Sequence, residues 1–494
     1  MAVAVNIVCH GYEYCTRAES RKPLGLRPGI GLLTRDRTTV ACASSGRNDI
    51  AVKKNCKESN TATLFDRKLD TEKFRDIVEK ERCAQKEKNI DVVTLGNLCV
   101  DIVLNVPELP PSSHEEKYRY MLQLAASNPD KRYWEAGGNC NFAIAAARLG
   151  LNCVTLGQVG NEKYGMFLRE VLEKEGVTII GIDENGGRLR SNDDETVLCW
   201  VLVDPSRQHS FCSRFDFNKE PAFRWINRLS AKAEDVIKHS KVLFCNGFLF
   251  DELCPGFIDS ILECARDMGT AIFFDPGPRN ISLLHGTPEQ QQTLRRMLYM
   301  SDVLLLTAEE AESLTGHPNP ILAANDLLHR GLATKWVIIK LGSRGYLMVT
   351  LKGFHYAPTF KVDVVDTVGC GDSYAAAIVI GYINSMSIIT ILALANAVGG
   401  ATAMGCGAGR NVATIEKVSD LLFAPQLQSE YEDYWKTLLP EECLINSEIM
   451  MKKTVTNNQD NSFCAIDVQT VAQDALDLLQ KFSQKDHLQV EVNP

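Results

Sequence analysis

The stretch VVDTVGCGDSYAAAIVIGYI, residues 364–383, sets the reading of the whole chain. A β-type run ends at Asp366. Three small residues follow, Gly369, Cys370 and Gly371, and Asp372 then opens a helix rich in alanine. Glycines let consecutive amides point into one concavity, and a helix N-terminus adds positive potential, so the turn predicts an anion hole. A carboxylate beside an anion hole repels phosphate and makes a poor binding group. It makes sense as a base that takes the proton of a hydroxyl attacking that phosphate. An isolated Asp after a glycine turn reads first as a helix N-cap, so the surroundings decide.

Upstream, strands and helices alternate. Apolar strand-like runs lie at 91–95, 153–156, 241–245, 271–275, 302–306 and 336–341. Helical patterns at 141–149, 165–175, 256–268 and 321–330 run up to Gly150, Gly176, Gly269 and Gly331. Glycine there is expected to stop each helix in a left-handed conformation. The later strands recur about every 30 residues, the size of a βαβ unit. The pattern predicts an α/β fold, a mostly parallel sheet with helices on both faces. Two stretches break the alternation. Residues 195–217 read as two strands around a polar turn, and 107–134 as irregular. Together they suggest a small β lid of the kind that shields a reaction from water. A plain edge hairpin fits the pattern equally well.

The 494 residues are 45% hydrophobic and 23% charged, enough apolar material for a large soluble core. A net charge of -9 excludes non-specific nucleic-acid binding, which needs a basic surface. No apolar run approaches the roughly 18 residues of a membrane span. The 17 cysteines include no Cys-x-x-Cys pair. Those in apolar runs, such as Cys199 and Cys245, read as small buried hydrophobes in a reducing compartment. Residues 1–45 carry Arg17, Arg21, Arg27, Arg35 and Arg37 with few acids, the composition of a transit peptide. The segment Val40-Ala41-Cys42-Ala43 is similar to a chloroplast cleavage site, so the expected location is the chloroplast, and otherwise the cytoplasm. Residues 46–90 read as a charged linker, 91–435 as the catalytic domain, and 436–494 as a C-terminal extension with one amphipathic helix at 468–482.

Asp-Thr-Val-Gly-Cys-Gly-Asp, 366–372, resembles the second signature of the pfkB (ribokinase-like) carbohydrate kinases, with Cys370 where Ala or Ser is usual. Gly137-Gly138-Asn139-Cys140-Asn141-Phe142-Ala143, followed by Arg148-Leu149-Gly150, resembles the first signature. There Asn139 replaces a smaller residue. Gly96-Asn97-Leu98-Cys99-Val100-Asp101 resembles the first strand-turn. Asp275-Pro276-Gly277-Pro278-Arg279 resembles the Asp-Pro-Asn-x-Arg segment, with Gly277 for Asn. Thr307-Ala308-Glu309-Glu310 stands at the Asn-x-x-Glu motif, and Leu341-Gly342-Ser343-Arg344-Gly345 at the nucleotide-side turn. The resemblance spans about residues 91–425, and its motifs come in the family's order. No Walker P-loop and no dinucleotide-binding glycine motif competes with it.

The resemblance implies a three-layer αβα ribokinase-like fold with a mostly parallel central sheet and a small β lid. It implies ATP and Mg²⁺, with Asp372 as catalytic base and Gly369, Cys370 and Gly371 as the anion hole. Asp101, Gly138, Asn139 and Asn141 are the implied substrate contacts. Asp101 suits a polyol, because one carboxylate accepts two hydrogen bonds from a diol. Lys340, Gly342, Gly345 and Asn396 are the implied nucleotide contacts, with the Gly405–Gly409 segment closing over adenine. Glu310 is expected to organise Mg²⁺ through water, and Thr307 to hold a metal-bound water. Asp366 is a candidate monovalent-cation (K⁺) ligand. The implied partner is a small-molecule sugar or nucleoside, with no nucleic acid and no membrane, and a homodimer through the lid occurs in some relatives. The rival reading is a non-catalytic kinase-like partner of a plastid assembly.

Overall fold

The computed structural model describes residues 88–490, apart from 112, 128, 184–195, 207, 214–215, 218–219, 432, 439–446 and 453–462. The targeting segment expected at 1–45, and the linker expected at 46–90 up to residue 87, lie outside the described residues.

Among the described residues, fifteen strands form two sheets. In chain order they are β1 (Ile90–Leu95), β2 (Leu98–Asn105), β3 (Trp134–Gly138), β4 (Cys153–Leu156), β5 (Thr178–Ile180), β6 (Val197–Val203), β7 (His209–Ser213) and β8 (Ser240–Asn246). There follow β9 (Ala271–Asp275), β10 (Val303–Thr307), β11 (Trp336–Lys340), β12 (Tyr346–Thr350), β13 (Gly353–Ala357), β14 (Ser447–Met451) and β15 (Phe463–Asp467). The large sheet has eleven strands in the order β15-β14-β13-β12-β11-β10-β9-β8-β1-β4-β5. Only β12 runs against the rest.

Alternation along each strand builds two cores. Val92 of β1 and Ile338 of β11 join one apolar cluster, while Val93, Leu95, Val337 and Ile339 join the other. Both faces of a parallel sheet must be covered, which is why these strands read as continuous apolar runs. Helices Ala231–His239, Pro255–Asp267 and Pro320–Arg330 cover one face. Helices Asn139–Arg148, Cys370–Ile383 and Ile388–Ala403 cover the other. The last two are apolar all round because protein encloses them: nearly every residue from Ser373 to Gly381 and from Ile389 to Ala403 is buried. Gly150, Gly176 and Gly269 take the expected positive φ. Gly331 departs from it, with φ -72 and ψ 149, and leads the chain away extended.

The small sheet has the order β3-β2-β6-β7. Its central pair, β2 with β6, is parallel, and β3 and β7 run antiparallel on either side. This is the β lid, and the 195–217 hairpin supplies half of it. The 107–134 stretch, read as irregular, contains the helix His114–Ala125, capped by Ser113. Phe217 sits against His114 and Tyr118 of that helix at 4.9 and 5.0 Å between ring centroids. The described parts of the C-terminal extension pack on the body. There β14 pairs with β13 and β15 with β14, and Val471, Ala475 and Leu479 of the helix Val468–Val490 enter the core beside Ile388–Ala403.

Candidate active site

Strands of the large sheet end in a row of polar residues: Asn246 on β8, Asp275 on β9, Thr307 on β10 and Lys340 on β11. Carboxyl ends of parallel strands are where open α/β sheets bind ligands. Lys340 Nζ reaches across β10 to Asp275 Oδ2 at 2.6 Å. The lysine is neither solvated nor an independent cation. It lies among three carboxylates, those of Asp275, Glu310 and Asp372, and it lowers the pKa of the last two.

The 366–372 turn rises beside this row. Gly369 takes φ 76 and ψ -3 as N-cap of the helix Cys370–Ile383, and no side chain caps that helix. A Cβ on Gly371 would meet no heavy atom within 4 Å, so space stands open over the helix start. The Cys370 amide departs from the expected three-residue hole, because it donates to Thr367 O at 3.3 Å. Asp372 lies in the first turn, partly buried, beside Asn141, whose side-chain carbon would lie 3.8 Å from a Cβ on Gly369. Burial, then the neighbouring Asp275 charge, push its pKa up to about 7 against the pull of Lys340 and Asn141.

The lid brings in Asp101 on β2, which is buried. Gly137 lies across on β3, and a Cβ there would come within 2.2 Å of the Asp101 carboxyl carbon. Burial raises Asp101 to about 7, Cys99 Sγ (3.5 Å) opposes this, and the charges of Asp372 and Glu135 add to it. Gly138 turns the chain from β3 into the helix with φ 59, its Cα packed so close that a Cβ would strike Asn97 O.

The two asparagines of the first signature part company. Asn139 is fully buried, donates from Nδ2 to Leu95 O and Gly96 O at 2.9 and 2.7 Å, and accepts from Asn246 at 2.7 Å. It clamps the lid root to the sheet, and the substrate contact expected of it is replaced by this structural role. Asn141 accepts the Gly409 amide at 2.7 Å and faces Asp372, joining the 405–409 segment to the site.

Thr307 and Glu310 form a reciprocal capping box, Thr307 N to Glu310 Oε2 at 2.8 Å and Glu310 N to Thr307 Oγ1 at 3.2 Å. One Glu310 oxygen thus holds the helix start. Burial lifts its pKa to about 7 against Lys340. On the nucleotide side, Gly345 has φ 106 and leaves no room for a Cβ, which would lie 2.4 Å from Ala357 O. Gly342 also takes positive φ. Asn396 Nδ2 donates to Pro358 O at 3.0 Å, and its Oδ1 is buried without a partner.

Asp366 answers differently from the expected cation ligand. Oδ1 accepts the Val368 amide at 3.0 Å and lies 3.0 Å from His209 Nε2, while Oδ2 accepts the Gly407 amide at 2.7 Å. Burial works against its charge, but His209 and the two amides outweigh it and hold its pKa below the usual carboxylate range. Such a carboxylate has little capacity left for K⁺. His209 carries no motif, and nothing in the sequence but its place in the hairpin marked it. Among the described residues no group of three or more His, Cys, Asp or Glu is placed to hold a metal ion, and no helix is long and apolar enough to cross a membrane.

The family model described as pfkB family carbohydrate kinase matches residues 89–415. The chain is similar to Probable fructokinase-4 of Arabidopsis thaliana, 28% identical over 295 residues, covering 58% of this chain and 86% of that protein. Probable fructokinase-6, chloroplastic, also of Arabidopsis thaliana, is 26% identical over 296 residues, covering 58% and 74%. Among solved structures, Arabidopsis thaliana ribokinase complexed with ribose and ATP aligns with a TM-score of 0.52 at 19% identity, covering 67% of this chain and 98% of that one, a likeness of fold.

Proposed function

The chain belongs to the pfkB family of carbohydrate kinases, and from that premise we propose that it transfers the γ-phosphoryl group of ATP to a hydroxyl of a sugar or nucleoside, with Asp372 as catalytic base. The observation that carries this reading is the meeting of Asp372, Asn141 and the uncapped, glycine-opened helix start at one point.

Asp101 accepts hydrogen bonds from the acceptor's hydroxyls on the lid side. The acceptor hydroxyl loses its proton to the Asp372 carboxylate as its oxygen bonds to phosphorus and the bond from phosphorus to ADP breaks. In a loose transition state the hydroxyl becomes acidic late, so a carboxylate with a pKa of about 7 suffices above neutrality. The amides of the helix start, Gly371 foremost, stabilise charge on the transferred group. Lys340, released in part from Asp275, faces the phosphates. Asn396 Oδ1 and the 405–409 segment suit the adenine end. A Mg²⁺ ion supplies charge neutralisation on the phosphates, and the donor set fits it: Mg²⁺ takes few protein ligands beside phosphate and water, and Glu310 retains one oxygen outside its capping box. A chloroplast location rests on the arginine-rich start of the chain.

The deciding experiment is ADP release from ATP by the purified chain across ketohexoses, pentoses and nucleosides. One acceptor class is expected to yield a phosphorylated product in equal amount to ADP. Phosphorylation of none of them, with partner proteins co-purifying, would contradict the reading and favour the non-catalytic role.

A further inference from the structure

Both ends of β7 are attached to signature segments of the site. At its first residue, His209 Nε2 lies 3.0 Å from Asp366 Oδ1, a close contact outside hydrogen-bond geometry, with both side chains largely buried. Just past its last, Asp216 Oδ1 accepts from Arg279 Nη2 at 2.8 Å, while Asp216 Oδ2 accepts the Ser213 amide at 2.9 Å and so stays bound to the strand. Arg279 also donates from Nε to Asp251 at 2.9 Å and lies over the Phe248 ring. One attachment is in the segment that carries Asp372, the other in the segment that begins with Asp275. Neither is needed to form the lid sheet, which its own ladders complete.

We propose that β7 is a strap tying the lid to both halves of the phosphoryl-transfer site, with His209 a positioning residue that sets the 366–372 turn so that Asp372 meets Asn141. The inference rests on the kinase reading above. Its physical basis is geometric. Asp366 is fixed from three sides: by its own turn through Val368, by the 405–409 segment through Gly407, and by the lid through His209. Only the third reports whether the lid is down. Removing it frees one carboxylate oxygen and one anchor of the turn. The same contact fills the position that a monovalent cation would take on this carboxylate, so the wild-type chain has no need of K⁺ there.

The test uses the full chain as wild type, His209→Ala, His209→Gln and Asp216→Asn. It measures kcat, the KM for ATP and for the acceptor, and melting temperature, each in K⁺ and in choline. Wild type is expected to give equal rates and equal melting temperatures in the two salts. His209→Ala is expected to lose about tenfold or more in kcat, the order of one close contact with a charged group, with the KM for ATP little changed. K⁺ should restore part of that rate and raise that variant's melting temperature. His209→Gln, whose amide N–H can reach Asp366, should recover most of the rate. Asp216→Asn should raise the acceptor KM. Severalfold activation of the wild type by K⁺, or a kcat for His209→Ala equal to wild type, would overturn the proposal, as would an unchanged acceptor KM in Asp216→Asn. If no acceptor is phosphorylated the kinase reading fails, and the melting temperatures still decide the strap: a K⁺ response confined to His209→Ala supports it, and identical responses reject it.

Discussion

Asp372 and Asp101 are two aspartates whose pKa burial drives up to about 7, Asp101 sensing the charge of Asp372 and Asp372 that of Asp275, yet the sheet edge and the lid hold them by different means. Asp372 is placed by the ends of elements: a glycine turn, a helix start, and a row of strand termini beside it. Asp101 lies within a strand, and cross-strand register sets its environment, with Gly137 leaving the room its carboxylate takes. The sheet edge rests on covalent neighbours and a buried helix. The lid rests on ladders and on long-range ion pairs such as Arg279 with Asp216. A change at the sheet edge should therefore strike chemistry, and one around Asp101 in the lid should strike acceptor binding.

The sharpest way to break that contrast is Gly137→Ala. A Cβ there collides with the Asp101 carboxylate at 2.2 Å, at a distance no rotamer relieves without moving Asp101. We expect kcat/KM for the acceptor to fall about 100-fold, roughly 2.7 kcal/mol of transition-state stabilisation, with ATP binding by calorimetry unchanged. Weakened ATP binding would mean that lid and sheet edge are not separable in this way.

Lys340→Met tests the sheet edge alone. Lys340 favours the charged forms of Asp372 and Glu310. Without it both pKa values rise further. A base must be ionised to act, so the acid limb of the kcat/KM profile should move upward from about pH 7. Activity at pH 7 should drop about fivefold, the effect of a one-unit rise on a group half ionised at that pH, and that part should recover at higher pH. An unmoved limb would separate Lys340 from the base. Breaking a buried ion pair also destabilises the chain, so the assay belongs well below the variant's melting temperature.

The smallest expected effect separates two residues that sit two apart. Asn139→Ala leaves buried Leu95, Gly96 and Asn246 groups without a partner, at a cost of about 1–3 kcal/mol in stability. Activity per folded molecule should stay within a fewfold of wild type. Asn141→Ala should do the reverse, lowering kcat severalfold with a smaller loss of melting temperature. If Asn139→Ala lowered kcat more than Asn141→Ala, the division of roles would be wrong.

The same contrast explains what the sequence made legible. Strand runs and helix stops of the large sheet followed from local pattern, and the elements fall within a residue or two of the expected places. The turn that opens the helix at Cys370, with Gly369 at its start, was readable because a turn is contiguous in the chain. Asn139 was misread because its burial and three hydrogen bonds come from residues 43 to 107 positions away. The pairing of Lys340 with Asp275 was not legible because the two lie two strands apart in the sheet. The helix at 114–125 was missed for a local reason: it is a polar, surface-lying helix that buries only Met121, so its apolar periodicity is weak. His209 had no local signature at all.

The central claim is that Asp372 takes the proton of the acceptor hydroxyl. The most direct measurement is single-turnover γ-phosphoryl transfer by Asp372→Asn beside wild type at pH 8, with the acceptor found by screening and ATP binding measured on the same samples. The variant keeps the side chain's size and its place beside Asn141 and removes only the base. The account predicts intact ATP binding and transfer slower by about 100-fold to 10,000-fold, the span of general base catalysis. Transfer within a fewfold of wild type would contradict it.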